Sequence, residues 1–186
     1  MSAAPNIAGG FKRTSLRFAK VVTLFAAACV SAMAQSLPEV HLDAARLGPR
    51  PIEEVTGTAI ARYYAQAWRD LTTALESDQT EGLGDEFVGV ALDRLKQRIT
   101  EQKQAGVRVR LVDHGHTLKA VFYSTDGTAM QLLDQAQLEI QTFDGGKLLD
   151  TQNAPIEYVV IMTPGADRWY VRNLEEVSAR TLDARR

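Results

Sequence analysis

The sequence predicts an α+β domain, with N-terminal helices packed on an antiparallel sheet of about four strands. Two observations predict it. Apolar residues recur at helical spacing from about Thr58 to Ala105, and after Gly106 that spacing gives way to alternation, every second residue being apolar. Turn signals then punctuate the alternating stretch at Asp126-Gly127, Asp144-Gly145-Gly146 and Pro164-Gly165.

The chain has 186 residues, enough for one domain with appendages. It opens on a leader. Lys12, Arg13, Arg17 and Lys20 make a positive stretch, Val21 to Val30 an apolar one, and Ala32-Met33-Ala34 offers small residues where a signal peptidase needs them. The apolar run is too short to span a bilayer, which takes roughly 20 residues. Residues 1–34 are therefore expected to be a signal peptide, making the product periplasmic or secreted. The single cysteine, Cys29, lies in the leader and follows Ala26-Ala27-Ala28, so lipid anchoring at Cys29 is the alternative. Cleavage after Ala34 leaves no thiol, which excludes disulfides, cysteine metal sites and a cysteine nucleophile. Four of the 21 basic residues lie in the leader, leaving 17 against 23 acids, a net charge of −6. An acidic product is a poor partner for nucleic acid or anionic membranes.

Residues 35–55 hold Pro38, Gly48, Pro49 and Pro51 and are expected to form a linker to a domain over 56–178. A first helix is expected from Thr58 to Ser77, with Thr56 or Thr58 as cap and Ile60, Tyr64, Ala67, Trp68, Leu71 and Leu75 as its apolar stripe. A second helical region is expected from Asp85 to Ala105. Phe87, Ala91, Leu95 and Ile99 form its stripe, Gly89 is a point where it can split, and Gly106 is its stop. Strands are expected around Val107–Leu111, Val121–Tyr123, Ala136–Gln141, Ile156–Met162 and Trp169–Leu174. The last residues, 179–186, form a polar tail of a kind that is seldom ordered.

This layout resembles the nuclear-transport-factor-2-like superfamily, in which a long bent sheet curls around helices into a cone. The resemblance rests on YVVIMTPGADRWYVRNLEEV (Tyr158–Val177), a strand, tight turn and strand with Trp169 just past the turn. It also rests on GVALDRLKQRITEQKQAGVRVRLVDHGHTL, which is similar to the helix-to-strand passage of the intermembrane-space branch, the type found in chloroplast-division proteins and mitochondrial import tethers. The superfamily holds isomerase and cyclase enzymes, small-molecule carriers and protein-binding domains, so the resemblance implies a fold and leaves the function open.

Four sets of residues are candidates for chemistry. Asp113 continues the inward phase of Val107, Val109 and Leu111. Inside an apolar cone it could serve as a catalytic base, as the resemblance to the isomerases implies, or it could sit at the sheet rim. His114 and His116 are two apart and would share one face of a regular strand, a start for a metal site lacking further ligands. Asp113 joins them only if Gly115 bends the chain. Tyr64, Trp68, Phe122, Tyr123, Tyr158 and Trp169 are aromatics expected between helices and sheet, as pocket lining or as core. Arg108 and Arg110, on the polar face of their strand, could meet a partner's carboxylates or pair within the sheet. No phosphate-cradling loop or serine elbow is present, and no cofactor is expected. The expected role is a non-catalytic binding or assembly domain contacting a protein partner or a second copy. The alternative is an enzyme or binder of small apolar molecules using an acid inside the cone.

Overall fold

The structure, a computed structural model, describes residues 36–177. The expected leader and polar tail lie outside the described residues. The described chain runs β1 (Val40–Asp43), α1 (Glu54–Ser77), a 3-10 turn (Leu83–Asp85), α2 (Gly89–Ala105), β2 (Val107–Tyr123), β3 (Met130–Asp144), β4 (Lys147–Pro164) and β5 (Trp169–Glu176).

Helix α1 begins at Glu54, earlier than the threonines suggest. Glu53 is the N-cap, with extended backbone and no side-chain cap, and Gly57 N–H closes the first turn on the Glu53 carbonyl at 2.9 Å. The acid Glu54 in the first turn faces the positive end of the helix dipole, where a carboxylate is favoured. The expected stripe is the buried face, with Ile60, Tyr64, Ala67, Trp68, Leu71 and Leu75 all below a tenth exposed. Helix α2 starts at Gly89 rather than Asp85, because Glu86 and Val88 exchange backbone hydrogen bonds with Val171 of β5 instead (2.9 and 3.0 Å). It ends where expected. Gly106 adopts a left-handed φ of 70°, and its N–H returns to Gln102 and Lys103.

Among the described residues the sheet has five strands in the order β1-β2-β3-β4-β5. The four long strands are antiparallel neighbours in chain order, as expected from the turn signals. β1 is a difference. It lies in the expected linker, yet Val40–Asp43 pairs parallel with His116–Lys119 of β2. Val40 and Leu42 pack against the core from this strand. Four residues flanked by prolines are too few for alternation to register, and the partner strand is remote in sequence.

One face of the sheet, carrying Leu118, Ala120, Met130, Leu132, Val160, Met162 and Val171, closes on the buried faces of both helices. Each large apolar side chain buried this way contributes about 1.5–3 kcal/mol. β2 departs from regular pairing twice, gaining one residue on β3 between Asp113 and His116 and one between Ala120 and Phe122. Both are β-bulges, and each resets which residues face inward.

Candidate functional site

The first bulge builds the site. Gly115 sits in it at φ 118°, a conformation that side chains disfavour, and Asp113 Oδ1 accepts from Gly115 N–H at 2.8 Å. The extra residue turns Asp113 and His116 to the same side, where a regular strand would set them opposite. His116 N–H meanwhile donates to the Glu39 carbonyl at 2.9 Å, so the same bulge receives β1.

The result is a chain of polar side chains running from the surface to the core. Asp113 Oδ2 lies 2.9 Å from His116 Nε2. His116 Nδ1 lies 2.8 Å from Asp134 Oδ2, and Tyr64 Oη donates to that same oxygen at 2.7 Å. His116 and Asp134 have fully buried side chains, and Asp113 is 12% exposed. Trp68 covers the imidazole with centroids 4.6 Å apart, and Tyr64 meets it edge-on at 5.5 Å.

Both ring nitrogens face carboxylate oxygens, so the ring donates at both ends only as an imidazolium. Burial alone would lower its pKa, but the hydrogen bonds and charges of Asp113 and Asp134 outweigh burial and raise it to about 9. Tyr64 moves well above its ordinary range, through burial first and the Asp134 charge second. The other oxygen of Asp134, Oδ1, is buried without a partner among the described residues. The ring therefore enters neutral solution charged, holding two acids together in an apolar surround.

Asp113 is the outer end. It lines a groove of about 580 Å³ with Leu37, Arg69, Glu76, Arg110 and His114. Both arginines are already engaged, Arg69 with Asp70 at 2.8 Å and Arg110 with Glu76 at 2.7 Å. Arg110 thus pairs with α1 of its own chain, and it and Arg108 lie over the Phe143 ring.

The two histidines part company. His114 is exposed at the groove while His116 is buried, because the bulge breaks the alternation that would have put them on one face. Among the described residues no cluster of His, Asp or Glu is arranged to hold a metal ion. Of the six aromatics, Tyr64, Trp68, Tyr123 and Tyr158 lie in the core, and Trp169 is partly buried against it. Phe122 is a correction: the second bulge turns it to the outer face, 43% exposed. Inside the cone the aromatics enclose little space. The cavity between Trp68, Leu95, Leu111, Leu138 and Tyr158 holds about 100 Å³, whereas ligand pockets run to roughly 300–1,000 Å³.

Asp134 did not stand out in the sequence reading. Its signal was present, since Met130, Leu132, Asp134, Ala136 and Leu138 share one phase and an acid in that row faces the core.

No protein-family model and no curated protein matches the chain. Among solved structures, the intermembrane space region of chloroplast protein ARC6 matches over 70% of this chain and 100% of its own, with a TM-score of 0.59 and 16% identity. A periplasmic fragment of TraM matches over 66% and 97%, with a TM-score of 0.49 and 13% identity. A putative scytalone dehydratase from Novosphingobium aromaticivorans matches over 68% and 89%, with a TM-score of 0.48 and 11% identity. The chain has the nuclear-transport-factor-2-like fold, two helices on a curved sheet. At such identities a shared fold does not carry a shared activity. No helix among the described residues is long and apolar enough to cross a membrane.

Proposed function

We propose that the protein is an exported, non-catalytic binding domain that acts through protein–protein contacts, with the outer face of its sheet meeting a second copy. The observation that carries this reading is the pattern on that face. Phe122, Leu133, Val159 and Ile161 form an apolar centre, with Phe122 and Leu133 each about two-fifths exposed. Lys119 borders it on β2, and Glu157 and Glu175 border it on β4 and β5.

The pattern is self-complementary. A two-fold axis along the strands, between β3 and β4, sets Leu133 over Val159 of the second copy. It also sets Gln135 over Glu157, and Lys119 over Glu175, of that copy. Such isologous matching is what a closed dimer requires. The filled interior, with its small cavity, supports binding at a surface over binding inside the cone.

Sedimentation across a wide concentration range tests the reading. The native chain should be a dimer, and Leu133→Arg should be a monomer with an unchanged fold. A native chain that stays monomeric at high concentration would remove it. Export is tested by mass measurement of the mature N-terminus. Gln35 as first residue supports cleavage after Ala34, and an acylated Cys29 supports anchoring instead.

A second reading is favoured by Asp113, an acid at the edge of the groove with a buried imidazolium behind it. On this reading the groove takes a small molecule and Asp113 handles a proton. The aromatic interior does not serve as the pocket. Binding of a small-molecule panel that is lost in Asp113→Asn at unchanged melting temperature would favour it over the surface-binding role.

A further inference from the structure

β5 pairs with β4 only from Tyr158 to Pro164, and among the described residues no strand pairs with that side of β4 over 147–156. Val177 N–H donates to the Glu157 carbonyl at 2.8 Å, so that carbonyl faces the β5 side. By the two-residue period of a strand, the N–H and C=O groups of Thr151 and Asn153 face it too, as does the Pro155 carbonyl. A row of backbone groups like this receives an extended chain by strand addition.

The side chains beside the edge say which chain fits. Tyr158, Val160 and Met162 are buried on the helix-facing side of β4, and in the same phase Asp150, Gln152 and Ile156 lie on that side. A groove of about 650 Å³ meets the edge there, lined among others by Leu138, Ile140, Gln152, Ile156, Glu157 and Glu176. Its centre is aliphatic. Acids stand at both ends, Asp150 at one and Glu157 and Glu176 at the other. Asp150 and Glu157 accept from the amides of Gln152 and Gln135, at 3.0 and 3.3 Å. Among the described residues none of the three acids forms an ion pair with an arginine or lysine, although Arg98 lines the inner cavity beside Glu176. An edge bordered in this way repels an acidic strand and favours a basic one.

We infer that the 147–156 edge of β4 is a docking site for an extended segment of another protein, aliphatic at its centre and basic at its two ends. Thr151 and Asn153 each offer it one N–H and one C=O. Alternate side chains of the segment meet the helix-facing side, a basic one beside Glu176, aliphatic ones over Leu138, Ile140 and Ile156, and a basic one at Asp150. From 150 to 156 the edge runs about 20 Å, the reach of a strand of about seven residues. The site uses none of the apolar centre of the outer face, so it stands whether or not a second copy binds there.

NMR titration of the full chain with a synthetic peptide reads this site at single amides. The peptide has seven residues, with lysine at both ends, valine at the third and fifth positions and threonine between. The Thr151 and Asn153 amides should shift and saturate in the native chain. Asn153→Pro removes an N–H that faces away from β3, so the ladder survives and the edge is spoiled. Affinity should fall at least about tenfold in Asn153→Pro, and as much in Asp150→Lys combined with Glu176→Lys, at unchanged melting temperature. Leu133→Arg should bind the peptide as the native chain does, and a peptide with glutamate in place of lysine should not bind. Absence of a saturable shift at Thr151 and Asn153 in the native chain overturns the proposal. Equal affinity for the two peptides overturns it as well, and so does an unchanged affinity in Asn153→Pro.

Discussion

His116 and Asp134 stand 2.8 Å apart with both side chains wholly buried, one on β2 and one on β3. The charge on the ring is set by its neighbours and not by solvent. The pair and Asp113 therefore behave as one unit, and their energetics make the first predictions.

Replacing His116 with Gln leaves two acids facing each other without a cation. Breaking a buried ion pair from one side costs about 3–5 kcal/mol. His116→Gln should lose that much in chemical denaturation, and His116→Gln combined with Asp134→Asn should recover part of it.

The native His116 pair also sets a pH dependence. The pKa is raised in the folded state to about 9, above the unfolded value, so its stabilisation is complete below the ordinary histidine range and is lost as pH rises through 9. Melting temperature should fall between pH 6.5 and 9.5 in the native chain. In His116→Gln that slope should be much reduced.

Tyr64→Phe removes one donor from Asp134 Oδ2 while keeping the ring that packs on His116. A hydrogen bond to a charged group contributes about 1.5–3 kcal/mol, and denaturant titration should show a loss of that size.

Glu86 supplies a test in which the substitution stabilises. It is buried near the 3-10 turn, with Oε2 unpartnered among the described residues and Arg168 3.4 Å from Oε1. Burial raises its pKa to about 7, and Arg168 opposes this only in part. The folded state holds the proton more tightly than the unfolded chain does, so stability falls as pH rises from the ordinary glutamate range to about 7. Glu86→Gln should gain melting temperature over the native chain at pH 8 and gain little at pH 4.5.

Gly115→Ala tests the bulge. The new Cβ would lie 3.2 Å from the Glu39 carbonyl oxygen, and the residue would be held at a φ that strains any side chain. A cost of about 1–3 kcal/mol is expected. Exchange should speed up first at Val40–Asp43, which the bulge receives.

The helices and the switch at Gly106 were legible because each repeats one signal over many residues. Tyr64, Trp68, Leu71 and Leu75 make a stripe that only a helix can bury on one side, and a glycine after Ala105 suits the left-handed cap it forms. β1 was not legible, since four residues cannot establish a period. The candidate site was half legible. The Asp113–His116 segment stood out by composition, but its geometry depends on an extra residue that alternation cannot locate. A bulge leaves the residue types unchanged and alters only which way they point, and for that reason Phe122 was expected inside and lies outside. Asp134 was concealed by the lateness of the expected strand, which started at Ala136 while the real one begins at Met130.

The paired surplus residues of β2 have a consequence for how this protein can vary in length. Dropping one residue at Gly115 or at Val121 would leave an ordinary strand whose inward and outward sets are still Leu118 and Ala120 against Lys119 and Phe122. The same loss in an evenly paired stretch would turn its remainder inside out. Relatives that differ by a single position in β2 are therefore expected to differ at these two places, and one lacking the first would keep Asp113 and the ring on one face but give up the Gly115 N–H that Asp113 accepts from.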